Sequence, residues 1–163
     1  MDKRNDYLDW DEYYMAIALI SCERSKDPEY QRGVCIVSSD NRILSTGYNG
    51  APNGYNDNEF PWKKEGNPLN TKYMYECHSI LNAILNYKGF RKDLEGAKLY
   101  VDTFPCHDCA KAIIQSGIKE VVYLADDLEG VESNMVAKKL FSECGVSYRK
   151  LVSDRVLTIT YNK

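Results

Sequence analysis

The segment AKLYVDTFPCHDCAKAIIQSGIKEVVYLA, residues 97–125, decides the fold. Residues 97–103 contain Tyr, Val and Thr side chains that favour a strand. Residues 109–117 are typical of a helix that ends at a glycine, and residues 119–125 are typical of a second strand. A strand, a helix and a strand in this order predict a parallel sheet that is covered by helices.

The flanking sequence extends this sheet on both sides. Residues 33–39 and 42–48 are typical of two strands joined by a short polar turn, which predicts a hairpin and therefore a mixed sheet. The remaining predicted elements are helices at residues 10–24, from about residue 77, and at 132–145, a long loop at 48–74, and closing strands at 146–152 and 155–161. Since no repeat or low-complexity linker interrupts the chain, residues 1–163 are predicted to form one α/β domain.

Composition narrows the class of protein. The net charge of −3 argues against a general nucleic-acid binder, which usually carries a basic surplus. No stretch approaches the ~20 apolar residues that span a bilayer, and the N-terminus has no apolar run after its charges. We therefore expect a cytoplasmic protein, with the nucleus as the alternative location. In such a chain the six cysteines favour metal ligands or buried thiols over disulfides.

Three residues have the character of a metal site. Cys106 and Cys109 form a C-x-x-C at a helix start, and His78 begins the preceding helix. Adjacent helix N-termini in an α/β sheet meet at one edge, so these side chains would supply three zinc ligands and leave a fourth position open. The alternatives are a redox pair of cysteines, a histidine that only caps its helix, and a structural zinc with no open position.

The other cysteines and the second histidine have structural interpretations. Cys22, Cys35 and Cys144 fall within predicted core elements and are interpreted as buried hydrophobic residues. Cys77 adjoins His78 and is expected to line the site without binding metal. His107 lies inside the C-x-x-C and is expected to point away from the metal toward the surface.

Longer motifs reveal a family resemblance over about four-fifths of the chain. They are RNDYLDWDEYYMAIALISCERSKDP, GYNGAPNG, PWK, TKYMYECHSILNAI, PCHDCAKAIIQSGIKEVVY and GVSYRK. Together they resemble the eukaryotic type of deoxycytidylate (dCMP) deaminase. This resemblance implies a cytidine deaminase-like three-layer α/β/α sandwich with a mixed five-stranded sheet. It also implies zinc bound by His78, Cys106 and Cys109, dCMP as the substrate, and a homo-oligomer that is commonly a hexamer.

The resemblance also assigns residues to nucleotides. Asn49 matches the residue that holds the deoxyribose hydroxyl, the N–H of Ser79 matches the donor to the pyrimidine carbonyl, and Phe104 lies beside the base. Two segments resemble the family's regulatory site, where dCTP activates and dTTP inhibits, with Mg²⁺ on the triphosphate. The residues that this implies are Arg24, Ser25, Lys26, Asp27, Gly50, Asn53 and Gly54. Without the resemblance, such a Gly-Asn-Pro run is usually only a turn.

One position departs from the family pattern. The family has glutamate two residues after the histidine ligand, and this chain has Ile80, which can neither accept nor donate a proton. Glu76 is a weak candidate to replace the missing acid–base group. It is expected instead to be exposed on the loop before the helix. Three functions remain open: a dCMP deaminase whose acid–base residue has been replaced, a natural pseudo-deaminase that serves as a nucleotide-binding regulatory or partner subunit, and a zinc enzyme with a redirected reaction on a related nucleotide.

Overall fold

The computed structural model describes residues 3–161, which contain four α-helices and five strands. The helices are α1 (Trp10–Cys22), α2 (Ser79–Asn86), α3 (His107–Ser116) and α4 (Glu132–Cys144). The strands are β1 (Gly33–Val37), β2 (Ile43–Tyr48), β3 (Lys98–Thr103), β4 (Glu120–Ala125) and β5 (Ser147–Lys150). Short 3₁₀ turns lie at Pro68–Asn70, Lys72–Met74 and Arg91–Leu94. In the described part of the chain, no helix is long and apolar enough to cross a membrane.

The five strands form one mixed sheet in the order β2-β1-β3-β4-β5. Strand β1 is antiparallel to both of its neighbours, β2 and β3. Strands β3, β4 and β5 are parallel, as the strand–helix–strand pattern predicts. The predicted mixed sheet and its hairpin are therefore confirmed. The carboxyl ends of β3 and β4 lie at one edge, and the turn that carries both cysteines of the C-x-x-C leaves from there.

Alternate side chains of the strands pack against helices on opposite faces of the sheet. On one face, α1 contributes Tyr14, Met15 and Ala18 to a core that includes Cys35 and Tyr100. On the other face, α2, α3 and α4 pack together over a second core. That core includes Val34, Ile36, Ile80, Leu99, Val101, Ile113, Ala137 and Phe141. The expected three-layer α/β/α sandwich is thus confirmed. The central strand β1 is buried throughout, whereas the edge strands β2 and β5 are largely exposed.

A glycine in β2 determines how closely α2 approaches the sheet. A Cβ atom added at Gly47 would lie 2.4 Å from the carbonyl oxygen of Ser79 and 2.4 Å from the amide nitrogen of Ala83. A side chain at this position would clash with the helix backbone, so only glycine allows the strand and the helix to approach so closely. Because Ser79 directly follows His78, this contact also fixes the histidine relative to the sheet.

Two expectations from the sequence are wrong. Residues 155–161 do not form a strand, and the segment from 151 to 161 has no regular secondary structure. Cys144 is exposed at the last position of α4, whereas Cys22 and Cys35 are buried as expected. The buried face of helix α4 carries Ala137 and Phe141, and Cys144 lies on its exposed side. A position within an amphipathic helix is buried only if it lies on the apolar face.

Candidate metal centre

The three predicted metal ligands converge at the starts of two helices. His78 is the N-cap of α2, and Cys106 is the N-cap of α3 with Cys109 one turn later. The Nδ1 atom of His78 lies 3.3 Å from the Sγ atom of Cys109 and 3.4 Å from the Sγ atom of Cys106. All three ligand atoms lie within 4.8 Å of one another. The three side chains therefore lie together as the sequence predicts, and their role as zinc ligands stays a prediction.

This geometry fits a tetrahedral zinc ion. With Zn–S bonds of about 2.3 Å and Zn–N bonds of about 2.0–2.1 Å, a nitrogen and a sulfur ligand lie about 3.6 Å apart. The observed separations approach this edge length. Two thiolates and one imidazole are a ligand set that zinc prefers. Within residues 3–161, no fourth histidine, cysteine or carboxylate joins the group, which is the composition of a site with an open position.

Contacts within the cluster favour the thiolate form of Cys106. Hydrogen bonding from Cys109, with a further contribution from His78, lowers the pKa of the Cys106 thiol to about 4, although burial opposes this shift. The hydrogen bond to Cys106 in turn raises the pKa of His78 against the opposing effect of burial. The same hydrogen bond, together with burial, raises the pKa of Cys109. A thiolate is the form of cysteine that binds metal, so Cys106 favours a cation and Cys109 would release a proton when metal binds.

Position 80 contains no proton carrier. The Ile80 side chain is 3% exposed and belongs to the core beneath α2. The first turn of α2 has no acidic residue. Ser79 is buried beside Ile80, and as the first residue of the helix its N–H has no acceptor within the helix. The isoleucine therefore fills packing space at the place where the family resemblance expects a carboxylate.

Glu76 does not occupy the exposed position that the sequence suggested. Its side chain is half-buried and accepts a hydrogen bond from the Nδ2 atom of Asn49. Burial raises the pKa of its carboxyl group, and hydrogen bonding to Asp27 adds to this effect. The helix does begin after Glu76, as expected, but the expectation of an exposed loop glutamate is wrong. The carboxylate is not a member of the metal-ligand cluster.

Glu76 belongs to a closed polar cluster that also contains Asp27, Asn49 and Lys72. Lys72 and Asp27 form a buried ion pair, in which the lysine is 1% exposed and the aspartate 2%. Asn49 is equally buried: its Nδ2 group donates to Tyr30 O at 2.8 Å as well as to Glu76, and its Oδ1 atom accepts from the N–H of Arg32 at 2.8 Å. Both hydrogens of the Nδ2 group are thus engaged, so Asn49 would contact a deoxyribose hydroxyl through the second lone pair of Oδ1 or by giving up one of these bonds.

Phe104 lies two residues before Cys106 in a buried aromatic cluster. Its ring packs edge-on against Tyr123, Phe141 and Tyr148, and the Nζ atom of Lys138 lies 5.3 Å from its centroid. Two roles assigned by the resemblance, those of Asn49 and Phe104, thus fall on residues with extensive internal contacts. As substrate contacts, Asn49, Ser79 and Phe104 remain predictions.

His107 points away from the metal ligands, as expected. It is half-buried rather than fully on the surface, and its Nδ1 atom lies 2.7 Å from the Oγ atom of Ser133. The backbone N–H of His107 also donates to that oxygen, at 3.2 Å. Sequence analysis missed this link between the starts of α3 and α4, because Ser133 lies 26 residues away and no local pattern relates the two residues.

A polar cavity of about 270 Å³ lies between α2 and the glycine-rich loop that follows β2, residues 49–54. Among its lining residues are Lys26, Gly50, Asn53 and Gly54, which the resemblance assigned to a regulatory site. The cavity also contains residues that sequence analysis did not single out: Tyr48, Tyr55, Asp57, Trp62, Asn82 and Asn86.

The other members of the predicted regulatory set lie elsewhere. Asp27 is buried against Lys72, and the Ser25 hydroxyl donates to Asn49 O at 3.0 Å. The Arg24 guanidinium lies 5.8 Å from the centroid of the Tyr48 ring. Lys26 pairs with Asp57 at the cavity wall. Four of the predicted residues therefore have partners within the protein, and the regulatory assignment of the whole set remains a prediction.

Comparison with known proteins identifies the family. The family described as "Cytidine and deoxycytidylate deaminase zinc-binding region" matches residues 8–125, which include all three candidate ligands. The chain belongs to this family. The human deoxycytidylate deaminase is 49% identical over 151 residues, which cover 92% of this chain and 84% of the relative. The mouse deoxycytidylate deaminase is 50% identical over 149 residues, which cover 91% of this chain and 83% of the relative.

Solved structures of other deaminases share the fold. The dCMP deaminase of cyanophage S-TIM5 in its apo form has a TM-score of 0.63 at 25% identity, over 86% of this chain and 96% of that one. A second structure of the phage enzyme, in complex with dCMP and dUMP, has a TM-score of 0.66 at 23% identity, over 89% of this chain and 100% of that one. The likeness confirms the cytidine deaminase-like architecture. The family, its zinc-binding region and the ligand cluster together support Zn²⁺ as the metal.

Proposed function

We propose that this chain is a zinc- and nucleotide-binding member of the dCMP deaminase family whose deaminase activity is severely impaired. Its homology supports the family reaction, in which dCMP and water give dUMP and ammonia. The observation that carries the proposal is Ile80, which is buried in the core where the resemblance places the acid–base glutamate. A general acid–base group contributes typically about 10²–10⁴-fold, so we expect a loss at the upper end of this range or beyond.

Other residues of the chain would bind the metal and orient the substrate. His78, Cys106 and Cys109 would hold zinc, which when bound supplies Lewis-acid activation of water. The free N–H of Ser79 would orient the pyrimidine carbonyl at the start of α2. Asn49 would hold the deoxyribose hydroxyl, and Phe104 would lie beside the base. These groups bind and orient, but none of them replaces the proton transfer that a carboxylate at position 80 would perform.

Glu76 is poorly placed to supply that proton transfer. Its carboxylate is directed to Asn49 and Asp27, in the polar cluster around the Asp27–Lys72 ion pair. A general base must come within hydrogen-bond reach of the proton that it takes, directly or through one water. The position of Glu76 therefore weakens the candidate function of a zinc enzyme with a redirected reaction on a related nucleotide.

The burial of Ile80 favours a second candidate function, that of a pseudo-deaminase. In this function the chain would bind a deoxycytidine nucleotide and act as a regulatory or partner subunit. An apolar residue that is buried in the same core as Val34, Ile36 and Ala83 stabilises the fold, but it cannot transfer a proton. A silent subunit needs both of these properties.

Further parts of the proposal extend the family resemblance. The cavity beside the glycine-rich loop would accept dCTP or dTTP, with Mg²⁺ on the triphosphate, because Lys26 and backbone N–H groups of a glycine-rich loop can bind phosphates. We also propose a homo-oligomer, a hexamer by family, and a cytoplasmic or nuclear location. We expect neither a membrane nor a nucleic acid among its partners.

The test compares this chain with an Ile80→Glu variant. Both proteins are loaded with zinc, their metal content is measured, and dUMP is followed by chromatography after incubation with dCMP. We expect stoichiometric zinc in both proteins and dUMP only from the variant. Binding of dCMP by the silent parent, measured by calorimetry, would support the second candidate function, and failure to bind dCMP would contradict both.

A further inference from the structure

Asn82 connects the glycine-rich loop to the segment that carries the metal ligand His78. It lies on α2, one turn after the histidine, and its backbone N–H donates to His78 O at 3.0 Å. Its side-chain amide donates to Tyr48 O at 2.8 Å and approaches Cys77 O at 3.4 Å. One half-buried residue thus contacts Tyr48, the last residue of β2 before the glycine-rich loop, and both residues at the start of the metal-binding helix.

A two-bond bridge reinforces this connection. The N–H of Cys77 donates to Gly50 O at 2.8 Å, and the N–H of Gly50 donates to Cys77 O at 3.1 Å. The Cys77 carbonyl is therefore approached from the loop by Gly50 and from the helix by Asn82. Because His78 directly follows Cys77, a movement of the loop backbone changes the position from which the imidazole reaches the metal.

The same residue also faces the cavity. Asn82 and Asn86, one turn apart on α2, both line the 270 Å³ space together with Trp62. Of these two asparagines, Asn82 has side-chain bonds to Tyr48 and Cys77, whereas Asn86 is exposed on the next turn. Substitutions of Asn82 and Asn86 therefore distinguish two effects: both residues line the cavity, but only Asn82 is hydrogen-bonded to the segment before the metal-binding helix.

We propose that Asn82 is a positioning residue that couples the cavity beside the glycine-rich loop to the metal ligand His78. This inference rests on the proposed zinc site. It predicts that loss of the Asn82 amide weakens and distorts metal binding. It also predicts that metal binding changes the environment of Trp62, which lines the same cavity. Groups that orient metal ligands typically change metal affinity by about 10–100-fold when they are removed.

The first test uses Co²⁺, whose visible absorption reports coordination geometry. Native protein, Asn82→Ala and Asn86→Ala are titrated with Co²⁺, and thermal unfolding of the metal-free proteins is recorded separately. We expect Asn82→Ala to bind Co²⁺ about 10-fold more weakly with an altered absorption band, and Asn86→Ala to match the native protein within twofold. If Asn82→Ala does not fold, the isosteric pair Asn82→Asp and Asn86→Asp replaces it, since both members add the same charge.

The second test uses fluorescence. Trp10 is the other tryptophan, so a Trp10→Phe background leaves Trp62 as the sole reporter. Titration with Zn²⁺ should change the Trp62 emission, and addition of Asn82→Ala should remove that change while zinc still binds. Unchanged emission on zinc binding, or equal effects of Asn82→Ala and Asn86→Ala on Co²⁺, would overturn the inference. Failure of the native protein to bind either metal would instead overturn the proposed zinc site on which the inference rests.

Discussion

Two polar clusters flank the start of α2, and they differ in what they leave available. The metal-ligand cluster of His78, Cys106 and Cys109 offers three protein ligands to a metal that takes four. The closed cluster around Asp27 and Lys72 is buried, and its members satisfy one another's hydrogen bonds. The first cluster therefore has an open ligand position, whereas the polar groups of the second are occupied by contacts within the protein.

The comparison explains the two unusual residues near the metal. Glu76 is close to His78 in sequence, yet its carboxylate belongs to the closed cluster. Ile80 belongs to neither cluster, because it packs in the apolar core. Sequence neighbours of a metal ligand therefore do not become catalytic by proximity. The side chain that performs proton transfer has to point toward the reacting atoms.

The largest expected effect comes from removing a metal ligand. Cys106→Ser leaves two of the three ligands, and serine is a poor ligand for zinc at neutral pH, so we expect zinc affinity to fall by more than about 100-fold, beyond the losses typical of outer-shell changes. Competition with a chromophoric chelator measures this affinity. Cys144→Ser is the matched control, since Cys144 is exposed and is not a member of the cluster, and it should leave the affinity unchanged. Equal affinities of the two variants would contradict the assignment.

The next effect tests the closed cluster. Lys72→Met leaves the Asp27 carboxylate buried without its cation, and breaking a buried pair in this way typically costs about 3–5 kcal/mol. Urea unfolding should show a loss of this size. Lys63→Met, at an exposed position, should change the free energy of unfolding little. A loss from Lys72→Met no larger than that of the control would show that the pair is not a stabilising unit.

A pH series sharpens the same point. Burial alone would raise the pKa of Asp27, but hydrogen bonds from Lys72 and from the N–H groups of Tyr30 and Glu29 outweigh it and lower the pKa. A depressed pKa in the folded state gives stability that is present above the unfolded value of about 3.9 and is lost as pH falls through the folded value.

The stability gap between the native protein and Asp27→Asn is the quantity to follow. At neutral pH the native protein should be the more stable, because the variant leaves Lys72 unpaired. As the pH falls below the unfolded value of about 3.9, the gap should begin to narrow, and it should close once the pH passes below the lower pKa of the folded carboxyl. A gap that stays constant down to the acid limit of folding would contradict the ionised pair.

The sequence was sufficient to predict that the residues of the metal-ligand cluster lie together, but it did not predict the closed cluster. The C-x-x-C and the histidine each lie at a helix start that local patterns reveal, and parallel strands bring such starts to one edge. Asp27 and Lys72 lie 45 residues apart in loops and 3₁₀ turns, where no periodicity relates them. For the same reason, Glu76 was predicted to be exposed.

The chain terminus shows the opposite error. Residues 155–161 have the β-branched and aromatic composition of a strand, but Val156 and Tyr161 are each 87% exposed and the segment pairs with no strand in the described residues. Arg155 and Ser153 instead bond to Glu12, at the start of α1. Strand propensity requires a partner to take effect, and the sequence does not reveal where the partner lies.

The smallest expected effect concerns Glu76. Glu76→Gln keeps an acceptor for Asn49 and removes only the acidic group, so zinc affinity should stay within about threefold, as for a residue outside the ligand shell. Any residual dUMP formation should also be unchanged. Assays of both quantities beside the native protein measure this. Loss of deamination in Glu76→Gln would identify Glu76 as the proton carrier after all.

The central claim is that the metal site is intact and that the proton carrier is missing. The most direct test is dUMP formation from dCMP by the zinc-loaded chain beside its Ile80→Glu variant, with zinc content measured in both. We predict no product above background from the chain, and a rate at least about 100-fold higher from the variant. Rapid dUMP formation by the unaltered, zinc-loaded chain would contradict the account.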